Sequence, residues 1–245
     1  MRHFLSYGGG VNSTALLLEL HRRGIWNDSW EAVYCDTGAE RQRTLDYVAM
    51  MRERFEITVI EGLRDGLGFY DYCMDHRVLP SPAWRWCTDH FKAKPLMLYI
   101  EERAAGAEYN EIIGYCSGEE HRLAGIVARG RRIWAPLIDW GVDRQGCVEI
   151  IEQAGFPVPP HSGCFICPFM RPAEIIEMRH DYPEEFAKAV ALERASANKR
   201  AESGKQPYYI LKGGSLESIG AQLRISETVA TAQPAQLVME QDAGG

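Results

Sequence analysis

The chain has 245 residues, of which 46% are hydrophobic and 25% charged, and its formal net charge is −7. This composition is typical of one ordinary globular domain with a small appendage, and it excludes collagen-like, coiled-coil and wholly disordered chains. The acidic balance argues against a nucleic-acid binder that is basic all over. No apolar run approaches the ~20 residues of a membrane span, and no secretory signal opens the chain, so we expect no membrane partner and a cytoplasmic location.

Hydrophobic periodicity predicts alternating strands and helices through the first 155 residues. The predicted strands are residues 3–7, 31–36, 57–60, 111–115 and 132–138. A first helix follows the glycines at 8–10, further helices are predicted at 41–55, 94–104 and 142–154, and residues 62–91 should form loops with short helices. This alternation predicts an α/β fold, with a parallel five-stranded sheet and helices on both faces.

In such a sheet, ligands bind beyond the carboxyl ends of the strands, where the strand order reverses. Each motif described below lies at, or soon after, the end of a predicted strand. We therefore expect the motifs to meet at one edge of the sheet.

The character of the sequence changes after Gly155. Prolines at 157, 159 and 160 lead into a Cys-x-x-Cys segment, and helices rich in Ala, Glu, Lys and Arg are predicted at 172–180 and 183–203. The last residues have few apolar anchors. We divide the chain into an α/β domain (1–155), a Cys-x-x-Cys loop with a C-terminal helical extension (156–226) and a disordered tail (227–245).

A glycine-rich loop, Gly8-Gly9-Gly10-Val11-Asn12-Ser13, joins the first predicted strand to the first helix. The glycines let the backbone approach a ligand, and Asn12 or Ser13 can cap the helix. Free N–H groups at a helix start favour an anion. The loop lacks the Gly-Lys-Ser/Thr of a Walker A motif, and Gly-x-Gly-x-x-Gly fails at Ser13. We interpret it as a phosphate-binding loop, with a plain glycine turn as the alternative.

Two other strand ends carry polar side chains. Asp36-Thr37-Gly38 closes the second strand, where an acid can reach a ribose or a magnesium ion, although Asp-Thr-Gly is also a common turn. Glu119 and Arg122 follow the fourth strand, and the planar fork of an arginine suits phosphate or sulfate. A charged surface loop would have the same composition.

The seven cysteines do not predict a disulfide framework in a chain without an export signal. Cys164 and Cys167 form a Cys-x-x-Cys pair that can chelate one metal ion or one cluster. A redox dithiol is the competing interpretation, but this pair follows a proline-rich loop rather than opening a helix after a strand. We interpret Cys35 and Cys73 as buried small hydrophobic residues.

In their order along the chain, these motifs resemble the PAPS (phosphoadenylylsulfate) reductase branch of the PP-loop ATP pyrophosphatase superfamily. The loop is similar to Ser-Gly-Gly-x-Asp-Ser, residues 36–38 to the Asp/Asn-Thr-Gly element, residues 92–96 to Lys-x-x-Pro-Leu and residues 136–140 to Pro-Leu-x-x-Trp. Gly8 replaces the leading serine, for which Ser6 can compensate, and Asn12 replaces the aspartate. We expect pyrophosphate binding to survive both changes.

The resemblance implies a HUP/PP-loop fold that binds ATP or another adenylyl nucleotide with Mg²⁺. The cofactor-binding residues that it implies are Ser6, Gly8, Gly9, Gly10, Asn12, Ser13, Thr14, Asp36, Thr37, Gly38, Gly114 and Glu119. The catalytic residues that it implies are Ser13, Asp36, Lys92 and Arg122.

Iron–sulfur members of this branch hold a [4Fe–4S] cluster with cysteines near the Lys-x-x-Pro-Leu segment and in a distant Cys-x-x-Cys. The ligands matched here are Cys87, Cys164 and Cys167, because Trp86 stands where assimilatory enzymes have their first cysteine. The fourth ligand is left open among Cys147, Cys116, His161 and a non-protein group. Zn²⁺ is the alternative, since it accepts three cysteines and a histidine.

The resemblance to DNA-phosphorothioation and tRNA-thiolation members implies ATP-dependent sulfur transfer or nucleic-acid modification through an adenylylated acceptor. The expected partners are an adenine nucleotide, a nucleic acid, a sulfur-donor protein and a second copy of the chain. The basic stretch 194–205 is the expected nucleic-acid contact, and Arg129, Arg131 and Arg132 form a second basic cluster. Either cluster would look the same as a solvated face.

Three alternatives stay open. The first is reduction of PAPS or adenylylsulfate, which needs a nucleophilic cysteine near the C-terminus, whereas no cysteine follows Cys167. The second is a zinc-bound PP-loop ligase. The third is a degenerate nucleotide-binding subunit that supports a partner.

Overall fold

The structure is a computed structural model that describes residues 1–127 and 133–222. The predictions for Arg129, Arg131, Arg132 and the tail 227–245 lie outside the described residues. The chain forms two compact units, of which the first comprises Met1–His76 and Ala83–Ile166, and the second Arg77–Pro82 and the chain from Cys167. The division made from the sequence lies earlier, after residue 155. None of the described helices combines the length and the apolar character that crossing a membrane requires.

The first unit contains a parallel sheet of five strands, as predicted. The strands are β1 (Arg2–Ser6), β2 (Trp30–Asp36), β3 (Ile57–Glu61), β4 (Tyr109–Ile113) and β5 (Ile133–Trp134), in the spatial order β3-β2-β1-β4-β5. Every pairing is parallel, and β1 pairs with both β2 and β4. β2 and β3 lie on one side of β1, and β4 and β5 lie on the other, so the strand order reverses between β1 and β4.

The predicted fifth strand, 132–138, is wrong over most of its length. Within the described residues β5 comprises only Ile133–Trp134, and Pro136 begins a short helix, α7 (Pro136–Asp139). A proline fits the first turn of a helix, because the N–H that it lacks would have no helical partner there. Numbered in chain order, the helices before α7 are α1 (Val11–Arg22), α2 (Gln42–Arg52), α3 (Phe69–His76), α4 (Trp86–Thr88), α5 (Lys94–Ala104) and α6 (Glu120–Val127).

One helical stretch of the first unit contains an irregularity. A π-helical segment, Asp89–Ala93, connects α4 to α5 without a break. Such segments insert an extra residue into a helix and often occur at functional sites. The last helix of this unit is α8 (Arg144–Gln153), and α6 lies in a region for which the sequence predicted no helix.

Helices cover both faces of the sheet, as predicted. Neighbouring residues of β1 point to opposite faces. Leu5 belongs to the larger core cluster with Leu16 of α1 and Ile151 of α8, whereas Phe4 packs with Ile100 of α5 on the other face. Each fully buried apolar side chain contributes about 1.5–3 kcal/mol to the free energy of folding. Burial of both faces of the sheet therefore fixes the strand ends and the loops that follow them.

The second unit carries the predicted helical extension, with α9 (Pro172–Asp181) and α10 (Pro183–Glu202). Glu193 of α10 is buried and accepts the backbone N–H groups of Ile210 (3.0 Å) and Leu216 (2.8 Å). The basic stretch is partly neutralised, since Arg194 forms an ion pair of 2.6 Å with Glu217.

Candidate functional site

The glycine turn lies between the end of β1 at Ser6 and the start of α1 at Val11. Gly9 has a φ of +66°, and a Cβ there would lie 2.8 Å from Cγ2 of Val48. Only glycine fits at this position without displacing α2. Gly8 and Gly10 are partly exposed, and the turn follows β1 at the point where the strand order reverses.

The expectation that Asn12 or Ser13 caps α1 is wrong. The N-cap is Gly10, which makes no side-chain cap bond. The Ser13 hydroxyl folds back onto the turn, where it accepts the Gly8 N–H (3.2 Å) and donates to the Gly10 carbonyl (3.1 Å). The first helical bond runs from the Thr14 N–H to the Gly10 carbonyl (3.0 Å). The preceding amides, of residues 11–13, therefore have no carbonyl partner within the helix and suit an anion.

The side chains of Ser6 and Thr14, two of the predicted binding residues, form contacts inside the protein. The Ser6 hydroxyl donates to the buried Glu111 carboxylate at 3.2 Å, and the buried Thr14 hydroxyl lies 3.2 Å from the Tyr7 hydroxyl. These side chains support the base of the turn rather than its open side.

Four side chains form what we term the loop network: Asn12, Glu119, Arg122 and Arg144. Asn12 donates through Nδ2 to Glu119 Oε2 (2.8 Å) and accepts through Oδ1 from Arg144 Nη1 (2.7 Å). Arg122 pairs with Glu119 and places its guanidinium 4.4 Å from the centre of the Tyr115 ring. The network lies beside the first turn of α1, so the predicted residues Asn12, Glu119 and Arg122 do come together.

Glu119 is held in its charged form. Burial alone would raise the pKa of its carboxyl, but the Cys116 amide and Arg122 outweigh that effect, and the pKa lies below its ordinary value. Gly114 allows this arrangement, because a Cβ there would lie 2.9 Å from both the Asn12 carbonyl carbon and the Ser13 nitrogen. The end of β4 thus packs directly on the start of α1.

The Asp36 turn follows β2 at the same edge of the sheet. Asp36 Oδ1 accepts the Gly38 N–H at 2.8 Å, and the Thr37 hydroxyl lies 3.4 Å from Glu40 Oε1. Asp36 itself is partly exposed, so its carboxylate is accessible to solvent.

The segment that leads to Cys164 lies against both turns. The Arg41 N–H donates to the Gly163 carbonyl (3.0 Å), and the Phe165 N–H donates to the Ala39 carbonyl (2.9 Å). A Cβ on Gly10 would lie 2.8 Å from the Ser162 hydroxyl, which puts this segment beside the glycine turn as well.

We term Thr37, Glu40, Lys92 and Cys164 the turn cluster. Lys92, in the π-helical segment, pairs with Glu40 at 3.1 Å, and the Glu40 side chain is only 1% exposed while that of Lys92 is 35% exposed. Cys164 Sγ lies 3.7 Å from the Thr37 hydroxyl. Burial lowers the pKa of Lys92, but Glu40 and the negative charge available at Cys164 outweigh this and raise it above its ordinary value.

The cysteines fall into two groups by exposure. Cys87, Cys164 and Cys167 are partly exposed, whereas Cys35, Cys73, Cys116 and Cys147 are buried. Burial raises the pKa of Cys35 and of Cys147 to about 12, which keeps both thiols protonated. The three partly exposed cysteines are those predicted as metal ligands, and the prediction of Cys35 and Cys73 as buried residues is confirmed.

The partly exposed thiols match the chemistry of a soft metal centre, and Lys92 supplies a cation beside Cys164. Cys87 lies in α4, near the buried Cys73 of α3, and Cys167 is the first residue of the longer segment of the second unit. Within residues 1–127 and 133–222, no group of three or more His, Cys, Asp or Glu side chains is gathered closely enough to hold a metal ion. The ligand set therefore stays a prediction.

Sequence reasoning did not assign roles to Glu40, Arg144 or Ser162. The sequence shows Glu40 as an acid directly after Asp-Thr-Gly-Ala. Its partner Lys92 is 52 residues away, so the local pattern does not predict the pairing. Arg144 is 132 residues from Asn12, and no local pattern connects the two.

A cavity of about 480 Å³ lies elsewhere in the first unit, at the outer strand β3. It is lined by Ile60, Arg64, His90, Lys94 and Leu98 among others, and it contains none of the predicted site residues. The candidate site is thus defined by the chemistry at the strand ends and not by the size of this cavity.

No family model matches the chain. Two curated proteins of Methanocaldococcus jannaschii are similar in sequence. Uncharacterized protein MJ0973 is 26% identical over 198 residues, which are 76% of this chain and 46% of that protein. Uncharacterized protein MJ0066 is 24% identical over 198 residues, which are 75% of this chain and 40% of that protein. The chain thus spans less than half the length of either relative.

Among solved structures, the chain is similar to the U34-tRNA thiolase NcsA from Methanococcus maripaludis with its [4Fe-4S] cluster. The TM-score is 0.45 and the sequence identity 13%, and the alignment covers 99% of this chain and 76% of that chain.

Proposed function

We propose that the chain binds ATP, or a related adenylyl nucleotide, at the glycine turn and uses it for ATP-dependent sulfur transfer or nucleic-acid modification. The observation that carries this proposal is the turn itself. Three glycines separate β1 from α1 where the strand order reverses, and the amides of residues 11–13 have no helical partner. Such a place suits a polyphosphate, because the amides and the helix dipole both favour negative charge.

In the proposed reaction, an oxygen of the acceptor attacks the α-phosphorus of ATP and pyrophosphate leaves. A sulfur nucleophile then displaces AMP from the adenylylated acceptor. The protein contributes by neutralising charge and holding the groups in line. The loop amides and Arg122 would bind the phosphates, while Asp36 would orient the ribose or Mg²⁺ at the neighbouring strand end.

The partly exposed thiols Cys87, Cys164 and Cys167 are the proposed ligands of a [4Fe–4S] cluster, with Zn²⁺ as the alternative. When bound with an open iron, such a cluster can hold the sulfur that is to be transferred. Lys92 would offset negative charge at Cys164, because both side chains belong to the turn cluster.

The first test is release of AMP and pyrophosphate from labelled ATP, with tRNA, other RNA and DNA each supplied as acceptor. We expect turnover with one acceptor class. Ser13→Ala should lower turnover about tenfold, because it removes the hydroxyl that bonds both the Gly8 N–H and the Gly10 carbonyl and so fixes the shape of the glycine turn. The matched control is Ser29→Ala, at a serine just before β2 and away from both the glycine turn and the basic stretch, which should leave turnover unchanged. Absence of both nucleotide binding and turnover in the wild-type protein would contradict the proposal.

The second test concerns the metal. Protein purified without oxygen should be brown, absorb at ~400 nm and contain iron. Cys164→Ser should lose the metal, whereas Cys73→Ala, a change at a buried thiol outside the proposed set, should keep it. Colourless protein with stoichiometric zinc would favour the zinc-bound ligase instead.

One observation favours a second candidate function, a nucleotide-binding subunit that supports a partner enzyme. Asn12 carries a neutral amide whose two polar atoms both bond within the loop network, so it is a weaker ligand for a metal ion than a free carboxylate would be. Nucleotide affinity without turnover, with turnover restored by a partner protein, would support this candidate.

A further inference from the structure

Arg144 occupies a place where a cation is not expected. It is the first residue of α8, which is capped by Asp143 through a bond from the Gly146 N–H (2.8 Å). Its Nη1 donates to Oδ1 of Asn12, in the first turn of α1. The amino ends of two helices therefore meet at this guanidinium. Asp143 meets the partial positive charge at the start of α8, whereas α1 has neither a side-chain cap nor an acidic residue in its first turn. A cation beside the start of α1 is therefore unfavourable unless an anion joins it.

Among the described residues, no acidic side chain balances Arg144 through an ion pair. Within residues 1–127 and 133–222, its described side-chain bond is the one to the neutral amide of Asn12. Arg122, on the other side of the network, differs because Glu119 pairs with it. The loop network thus contains one compensated and one uncompensated arginine.

Asn12 accounts for this difference. Its amide contacts Glu119 with Nδ2 and Arg144 with Oδ1, so it holds the arginine in place without cancelling its charge. A carboxylate at position 12 would act in the opposite way, because it would neutralise Arg144 and repel Glu119 at the same short distance.

We propose that Arg144 is a phosphate-binding residue, which contacts the pyrophosphate portion of a nucleoside triphosphate, and that Asn12 keeps it uncompensated for that purpose. This inference rests on the proposed function and names a further residue of the same site. The guanidinium has five N–H donors, and those not given to Asn12 can bind phosphate oxygens beside the amides of residues 11–13.

The test is calorimetric titration of the full chain with inorganic pyrophosphate and, separately, with ATP and Mg²⁺. Arg144→Ala should raise the Kd for both ligands about tenfold, and Arg144→Lys should raise it about threefold because a point charge replaces the fork. The matched control is Arg54→Ala, at an exposed arginine just after α2. Unchanged affinity in Arg144→Ala would overturn the inference alone. A wild-type protein that binds neither ligand would overturn the proposed function as well.

Asn12→Asp separates this inference from the simpler view that Asn12 is a degenerate aspartate. We expect the substitution to weaken pyrophosphate binding about tenfold, since it neutralises Arg144. Tighter binding would overturn the inference. The melting temperature without ligand gives a further readout, because a purely structural Arg144 would lower it when removed. We expect Arg144→Ala to melt at or above the wild-type temperature, because the change removes a positive charge from beside the uncapped start of α1. A clear decrease in melting temperature would overturn the inference.

Discussion

The loop network and the turn cluster lie at the same carboxyl edge of the sheet, yet their charges are held differently. In the loop network, which follows β1 and β4, the Glu119 and Arg122 side chains are 24% and 44% exposed. In the turn cluster, which follows β2, the Glu40 side chain is 1% exposed and pairs with Lys92 across 52 residues.

The contrast indicates different roles for the two groups. Exposed ion pairs contribute about 0–1 kcal/mol, so the loop network can exchange its internal bonds for a ligand at small cost. A buried carboxylate that loses its partner costs several kcal/mol, so Glu40 and Lys92 must stay together. We infer that the turn cluster keeps the segment before Cys164 in place, while the loop network is available for binding. The predictions below test this division.

The largest effect is expected from Lys92→Met, which leaves the buried Glu40 without its cation. Because Lys92 keeps 35% of its side chain exposed, we expect a loss of about 2–3 kcal/mol in the free energy of unfolding, below the full value for a buried pair. Urea denaturation measures it.

The matched control is Lys94→Met, two residues away. Lys94 forms an ion pair with Asp89 in which the two side chains are 52% and 57% exposed, respectively. It should change stability by less than about 1 kcal/mol. The double variant Lys92→Met/Glu40→Gln should recover part of the loss, because no buried charge is left unpaired. Equal effects of the two lysine changes would contradict the assignment of the turn cluster to the fold.

The next largest effect is expected from Gly114→Ala. Its Cβ would lie 2.9 Å from backbone atoms of Asn12 and Ser13, which cannot move independently of α1. We expect the free energy of unfolding to fall by about 1–3 kcal/mol and pyrophosphate binding to weaken, because the added Cβ displaces Asn12 and with it the loop network.

Gly125→Ala is the control for this change. Gly125 lies in α6, where an added Cβ would have no atom of the described residues within 4 Å, so the substitution should be neutral or slightly stabilising. Normal pyrophosphate affinity in Gly114→Ala would show that the loop network does not depend on the contact between β4 and α1.

The sequence predicted much of this architecture for a physical reason. Strand and helix periodicity reflects burial on one or two faces, which is local information, and it located the four longer strands and α5 closely. It also placed Asn12, Asp36 and Glu119 at strand ends. The parallel topology then brings those ends to one edge, so their proximity could be predicted without coordinates.

The remaining features depend on contacts that no local pattern encodes. The pairing of Lys92 with Glu40 and that of Arg144 with Asn12 join residues far apart in the chain. The π-helical segment was also missed, because its extra residue does not alter the apolar periodicity of the flanking α5. The fifth strand was overextended because residues 136–138 are apolar in either a strand or a helix, and Pro136 decides between them.

The smallest effect is expected from Glu119→Gln, through its pH dependence. The pKa of Glu119 in the folded chain lies below the ordinary value of 4.5, since the Cys116 amide and Arg122 outweigh the effect of burial. An acid whose pKa is lowered in the folded state contributes stability above its ordinary pKa and loses that contribution as the pH falls through the folded value.

The free energies of unfolding of the wild type and of Glu119→Gln should therefore differ by about 0.5–1 kcal/mol at pH 7, because the ion pair is partly exposed. The two values should converge as the pH falls below 4.5. Urea denaturation at a series of pH values measures the difference. Glu56→Gln, at an exposed acid before β3, removes the same charge away from the loop network and serves as the control. If the wild-type and Glu119→Gln curves instead stayed parallel from pH 7 to pH 3, the carboxylate would not be held by the loop network, and the contrast with the buried Glu40 would lose its electrostatic basis.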